Sequence, residues 1–171
     1  DVTGVGTARR DLAAATYGTD KAIFAYGQNS GGSKVSMSNL VSNSGVVATD
    51  TTGDGTARGD LAATGYGSTG QSIFGYGNTG SYVSMTNLVT NVGVIGTDVT
   101  GVGTVRRSLA ACTFGGDKAI FGFGRDGSNE LSVTNLVSNV GVVAADTTGV
   151  GTAREKLGAC SFGGDKGIFA F

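Results

Sequence analysis

DVTGVGTVRRSLAACTFGGDKAIFGFG, residues 98–124, is the stretch on which the fold turns. Near-copies begin at Asp1, Asp50 and Asp146, so the steps between copies are 49, 48 and 48 residues. Between copies runs a second recurring stretch, cleanest at residues 83–97, VSMTNLVTNVGVIGT. The chain divides into units 1–49, 50–97 and 98–145 and a half unit, 146–171, within a single repeat domain. A period of that size marks a repeat architecture, in which one unit cannot bury its apolar side alone and stacks on its neighbours.

Within the first unit, the Gly-rich turn DVTGVGT leads to Arg9 and then to the small residues Leu12-Ala13-Ala14-Ala15. Small side chains suit an innermost strand, where sheets converge and leave no room for bulk. The next run is Ala22-Ile23-Phe24-Ala25-Tyr26. Strand periodicity puts Ala22, Phe24 and Tyr26 on one face and Ile23 on the other. Both faces are apolar, so this strand is expected to be covered on both sides. A third strand alternates Val35 and Met37 with Ser36 and Ser38. Asn43-Ser44-Gly45 and its counterparts at residues 91–93 and 139–141 mark a tight turn. A short strand, Val46-Val47-Ala48, closes the unit. No segment carries a helical period. The expected fold is all-β, a β-propeller or part-propeller of four-stranded antiparallel blades, with three full units and a half unit.

The series Arg9, residues 12–15, Ile23-Phe24-Ala25-Tyr26-Gly27 and residues 35–41 resembles a kelch blade. The kelch double glycine corresponds here to Tyr26-Gly27, Tyr76-Gly77 and Phe123-Gly124, and the kelch Trp has no counterpart. The wording of the repeat, GGDKAIFGFG with TNLVSNVGVVAADTTGVGTAR, is also similar to repeat arrays in uncharacterised phage and environmental-virus proteins. The first resemblance implies a propeller. The second implies a virion or tail-associated role, with a virion or extracellular location.

Composition removes several classes of function. Net charge is −1, so nothing marks a nucleic-acid footprint or a polybasic membrane patch. No apolar run approaches the roughly 20 residues of a spanning helix, so membrane insertion is not expected. The sequence contains no His, which removes the commonest general base and the usual zinc spacings. The acids lie mostly in turns and recur with the unit, whereas an active site normally breaks such symmetry. Catalysis and a bound cofactor are not expected. Cys112 and Cys160 occupy the same place in neighbouring units and read as small buried residues rather than as a disulfide. The Asp at position 1 points to a processed, trimmed or partial start.

The strongest polar signal pairs Asp1 with Arg9, Asp50 with Arg58, Asp98 with Arg106 and Asp146 with Arg154, each eight residues apart. One reading is a ring of guanidinium groups that holds carboxylate, phosphate or acidic sugar. The other is a turn brace that ties blade to blade, and recurrence in every unit favours it. The loop tips at residues 28–34, 78–82 and 125–130 vary while the framework stays constant, which is where recognition sits on a rigid scaffold. Asn78 with Tyr82, and Arg125 with Asn129, offer an aromatic face and amides to a glycan. Asp50-Thr51-Thr52-Gly53-Asp54-Gly55 is similar to a propeller calcium loop, but Val replaces Asp54 in the other units. Arg58-Gly59-Asp60 occurs once and reads as coincidence.

The expectation is therefore a non-catalytic structural or interaction module, with a carbohydrate-binding propeller as the alternative. Closed propellers have about four to eight blades. Three and a half units imply a piece of a longer propeller, closure with one two-stranded blade, or two chains joined edge to edge. The expected partners are a second copy or the remainder of a longer propeller, and a glycan.

Overall fold

A computed structural model describes residues 3–170. It is all-β, with no α-helix among the described residues. The first unit holds β1 (Arg9–Arg10), β2 (Ala13–Tyr17), β3 (Lys21–Ala25), β4 (Gln28–Asn29) and β5 (Ser38–Val41). The second holds β6 (Ala62–Tyr66), β7 (Gln71–Gly75) and β8 (Thr86–Val89). The third holds β9 (Ala110–Phe114), β10 (Lys118–Gly122) and β11 (Thr134–Val137), and the last holds β12 (Gly158–Phe162) and β13 (Lys166–Ala170). Sheets form in the orders β2-β3-β5, β6-β7-β8, β9-β10-β11 and β12-β13, all antiparallel, with β1-β4 as a short ribbon at one end of the first.

Each sheet grows from a hairpin, because two alternating apolar runs flank a turn rich in positive-φ residues. In the first, Ala15 opposes Ile23 and Tyr17 opposes Lys21, with Gly18 and Thr19 in the left-handed region between them. The inner strands β2, β6, β9 and β12 lie beside one another in that order. Their small residues, among them Ala14, Ala63, Ala111 and Ala159, line one shared open groove.

Two features of the sheets differ from the expected four-strand plan. The third strand starts only at Ser38, three residues later than Val35. Its ladder with β3 ends there because Tyr26 and Gly27 take φ of 64° and 101°, which turns β3 away. The fourth strand is not continuous at residues 46–48. Val47 bridges Val41, and Thr51 bridges Ser38. Between these two bridges the chain turns so that Asp50 reaches the side chain of Asn39. The outer edge of each three-stranded sheet is thus closed by residues from the start of the next sequence unit, Thr51, Val99 and Thr147.

The core lies between sheets, not within one. One cluster joins Ile23, Ala25 and Tyr26 to Leu61, Phe74 and Val89 of the second unit. The other joins Ile73 and Tyr76 to Leu109, Phe121 and Val137 of the third. Tyr26 was expected on the Phe24 face. Its left-handed backbone breaks the alternation, and the ring packs with Ile23 instead. The stack is therefore polar. The forward face of one sheet carries Ile and the aromatic before the glycine, and the back face of the next carries Phe. The rings meet at 5.5 Å for Tyr26–Phe74, 5.2 Å for Tyr76–Phe121 and 5.4 Å for Phe123–Phe169. Gly75 and Gly122 make the approach possible, because a Cβ on either would lie 2.8 Å from the facing Phe ring.

Backbone hydrogen bonds repeat across every junction. The Asp60 amide donates to Asp11 C=O, Ser108 to Asp60 and Lys156 to Ser108, at 2.8–3.0 Å. The Gly27, Gly77 and Gly124 amides donate to the carbonyls of Arg58, Arg106 and Arg154 in the following unit. The Gly18, Gly67 and Gly115 amides donate to the carbonyls of Gly70, Asp117 and Asp165.

Burial follows the polarity. Phe74 and Phe121 are fully buried, whereas Phe24, with no sheet behind it, is 36% exposed, so the expected cover on both faces holds only for inner sheets. Truncating Phe121 to Ala is expected to lower the unfolding free energy by about 3–5 kcal/mol. Phe24→Ala should cost less than half as much in the same urea titration. Equal losses would contradict the polarity.

Candidate functional site

One polar cluster recurs three times along the chain, twice in the interior, and the middle copy shows its construction. Arg58 enters from the loop before β6, Asn87 from β8, and Asp98 from the outer edge of the same sheet. The Arg58 guanidinium is completely buried. Its Nε donates to Tyr76 C=O at 2.9 Å, Nη1 to Thr56 C=O at 3.1 Å and Nη2 to Asn87 Oδ1 at 2.7 Å. Asn87 Nδ2 donates to Asp98 Oδ1 and to Gly96 C=O, both at 3.0 Å. The Thr56 hydroxyl donates to Asp98 Oδ2 at 2.6 Å, and the Thr56 amide donates to the same carboxylate. Arg58 Nη1 lies 3.9 Å from Asp98. Arg106, Asn135, Asp146 and Thr104 repeat the arrangement, as do Arg9, Asn39, Asp50 and Thr7 near the surface.

The guanidinium also spans the junction. Arg58 lies 4.2 Å over the Tyr26 ring and Arg106 lies 4.0 Å over Tyr76. Each ring is therefore clamped between an Arg and a Phe of the next unit. Arg154 takes the same position over Phe123 at 5.2 Å. Tyr26 and Tyr76 close the contact by donating their hydroxyls to the carbonyls of Asp54 and Val102.

Burial lowers the pKa of Arg58 and Arg106, and the neighbouring Asp98 and Asp146 charges partly offset that effect. Both guanidinium groups remain charged. Burial alone would raise Asp98, but hydrogen bonds from Thr56 and Asn87 and the Arg58 charge outweigh it. The carboxyl is held below its ordinary value, and Asp146 behaves alike.

The expected Asp–Arg pairs eight residues apart do not form at these positions. The carboxylate near Arg58 is Asp98, not Asp50, and the one near Arg106 is Asp146. Asp50 serves Asn39 and Thr7. Asp1 lies outside the described residues. Arg58 and Arg106 are withdrawn from solvent with their donors used internally, so neither guanidinium is open to a carboxylate, phosphate or acidic sugar. The same burial removes Arg58-Gly59-Asp60 as a surface tripeptide. Arg9 and Arg154 are half-buried, at the two ends of the series.

The loop-tip residues gather at corresponding ends of the sheets, through bridges of Gly59 with Asn78 and Asn78 with Tyr82, and of Arg107 with Arg125 and Arg125 with Glu130. Their polar groups fold back on the loops. Asn78 Oδ1 accepts from the Gly80 amide at 2.8 Å. Tyr82 lies under Arg107 at 5.3 Å, and Arg107 pairs with Asp60 of the preceding unit at 3.4 Å. Arg125 binds Glu130 at 2.9 Å and approaches Glu155 at 3.8 Å. The Asn129 backbone N–H donates to Asp126 Oδ1.

No motif in the sequence singles out Asn39, Asn87 and Asn135. Their signal was an amide at one fixed place in every copy of an apolar strand. Cys112 and Cys160 are unbridged, but only Cys112 is buried as expected, since Cys160 faces outward on the last sheet. Among the described residues no group of three or more His, Cys, Asp or Glu is placed to hold a metal ion. No protein-family model matches the chain, and no curated protein matches it in sequence.

Arg58→Ala is expected to destabilise by roughly 3 kcal/mol or more, because it strands a buried amide and carbonyls. Arg58→Lys should not restore the loss, since an ammonium neither forks nor stacks in the same way. A denaturant midpoint for Arg58→Lys equal to wild type would refute this.

The folded pKa of Asp98 and Asp146 lies below the ordinary 3.8. Their stabilisation is complete above that value and is lost as pH falls through the depressed folded value. Melting temperatures should hold steady down to about pH 5 and drop below about pH 4. Asp98→Asn should flatten that acid slope in a melt series.

Proposed function

We propose that the chain is a non-catalytic structural or interaction module, built as a kelch-like propeller or part-propeller and suited to a virion or fibre component. One observation carries the reading. The recurring Arg, Asn and Asp of the polar cluster are spent on joining segments and units, as latch and clamp, and the guanidinium groups of Arg58 and Arg106 are wholly buried. The shared groove along β2, β6, β9 and β12 supports sheets fanned about an axis, because four inner edges border one space. A structural part needs that kind of directional, repeated joint.

A carbohydrate-binding propeller is the second reading. The groove, about 420 Å³, carries the hydroxyls of Thr16, Thr113 and Ser161 and is wide enough for a small sugar.

Small-angle scattering of the folded chain tests the architecture. A profile fitted by sheets curving about an axis is expected, and one that demands a straight rod would overturn it. A glycan array with wild type and Thr113→Val decides between the readings. Silence is expected, and a signal lost in Thr113→Val would favour the sugar-binding one.

A further inference from the structure

The outer rim of the array differs in chemistry from the rest of the surface. Residues 83–97 and 131–145, which supply the third strand and outer edge of the second and third sheets, contain no charged side chain. The one charged residue between 83 and 105 is Asp98, and its carboxylate is taken up by Thr56 and Asn87. On this rim stand the turns Val92-Gly93-Val94 and Val140-Gly141-Val142. Val92 is 69% and Val94 56% exposed, and Val140 and Val142 are 70% and 64% exposed. The second unit has a sheet packed on each side, so the openness of its turn belongs to the rim itself.

Each turn is seated on the sheet before it. A Cβ on Gly93 would lie 2.9 Å from Leu40 and 3.0 Å from Tyr17, and one on Gly141 would lie 2.9 Å from Leu88 and Tyr66. The backbone is thus fixed while the flanking Val side chains face solvent. Beside the second turn lies an apolar cleft of about 210 Å³ between the second and third sheets, walled by Leu88, Val99, Val102, Val140 and Val142. Between the first and second sheets, Thr51 and Asp54 stand where this cleft has Val99 and Val102, so the rim there is polar.

We propose that a second copy of this chain docks on this rim about a two-fold axis, with Val92 of each copy seated in the cleft of the other. The occupant follows from charge and shape. A partner here must bring an exposed apolar knob and no charge, since an ion set against these Val side chains would lose its hydration with no counter-ion to replace it. The loop tips and hairpin turns are polar or charged, whereas the Val92–Val94 turn meets both conditions. Knob and cleft lie on one rim within one unit of each other, which makes the surface self-complementary, as an isologous contact requires. The contact is smaller than the roughly 20–30 residues a side of a standard interface, so the dimer is weak and reversible. The inference rests on the interaction-module reading and names its partner and surface.

The test is sedimentation velocity over a dilution series with wild type, Val92→Ser and Val102→Asp, each verified as folded by circular dichroism. Both variants copy a residue that the equivalent position of an earlier unit carries, Ser44 and Asp54. The Tyr76 hydroxyl keeps its bond to the carbonyl of residue 102, as Tyr26 has at Asp54. Wild-type mass should rise with concentration from monomer and stop at dimer. Each variant alone should dimerise at least tenfold more weakly. An equal mixture of the two should dimerise more strongly than either alone, because the intact Val92 of one enters the intact cleft of the other. A monomer at every concentration would overturn the proposal. So would a wild-type dimer indifferent to both substitutions, a mixture no stronger than its components, or growth past the dimer. Flotation of monomeric wild type with uncharged phosphatidylcholine vesicles would assign the rim to a lipid surface and sink the proposal as well. None of these outcomes decides the module reading, which fails instead on a rod-like scattering profile or a Thr113-dependent glycan signal.

Discussion

A buried guanidinium with its donors occupied is the constraint around which the units are arranged. Moving such a charge out of water costs several kcal/mol unless hydrogen bonds replace the lost hydration. Arg58 meets that condition only when several segments are in place at once: the Thr56 loop, the end of β7 at Tyr76, Asn87 in β8, and Tyr26 of the preceding unit. The carboxylate is not the main partner. At 3.9 Å, Asp98 acts chiefly through Asn87 and Thr56, fixing the amide whose oxygen receives the guanidinium. The latch specifies geometry more than it adds net stability, since well-packed apolar groups commonly serve stability as well as a buried ionic cluster.

The aromatic–glycine pair is the second half of the same device. Tyr26, Tyr76 and Phe123 have φ of 63–64°, a conformation that costs about 1–3 kcal/mol for a bulky residue. It persists because the turn delivers the ring into the clamp and points the next amide at the following unit. Gly27 cannot be replaced easily, as a Cβ there would fall 2.6 Å from Arg10 C=O. Each sheet has apolar residues on both sides and too little area to stabilise itself. Stability is then approximately a sum over junctions, as in other repeat arrays.

The all-β character, the hairpins and the small inner strand were legible from alternation and Gly placement. The latch was only half legible. Arg and Asp recur at one spacing, which suggested a local pair. The partner instead arrives from about one unit further along, because the outer edge of each sheet is borrowed from the next sequence unit. Linear spacing carries no trace of that borrowing. Nor could alternation foresee Tyr26 crossing to the Ile23 face, since one left-handed residue inverts the pattern after it. The broken outer strand has the same origin, for Asp50 needs a bend that a regular ladder forbids.

The polarity of the junction links these observations to function. A symmetric joint, with like faces meeting, would pair two units and stop. Here the forward face offers a ring and an Ile, and the back face offers a Phe and a guanidinium, so unlike faces meet. An array built this way has a direction, and every added unit regenerates the surface that received it. The loop tips vary in length and charge while the buried joint stays the same, although Arg125 and the Arg107 over Tyr82 also reach carboxylates of neighbouring units. The division is one of packing: the junction repeats because its geometry is fixed by buried groups, and the tips differ because their side chains remain partly in solvent.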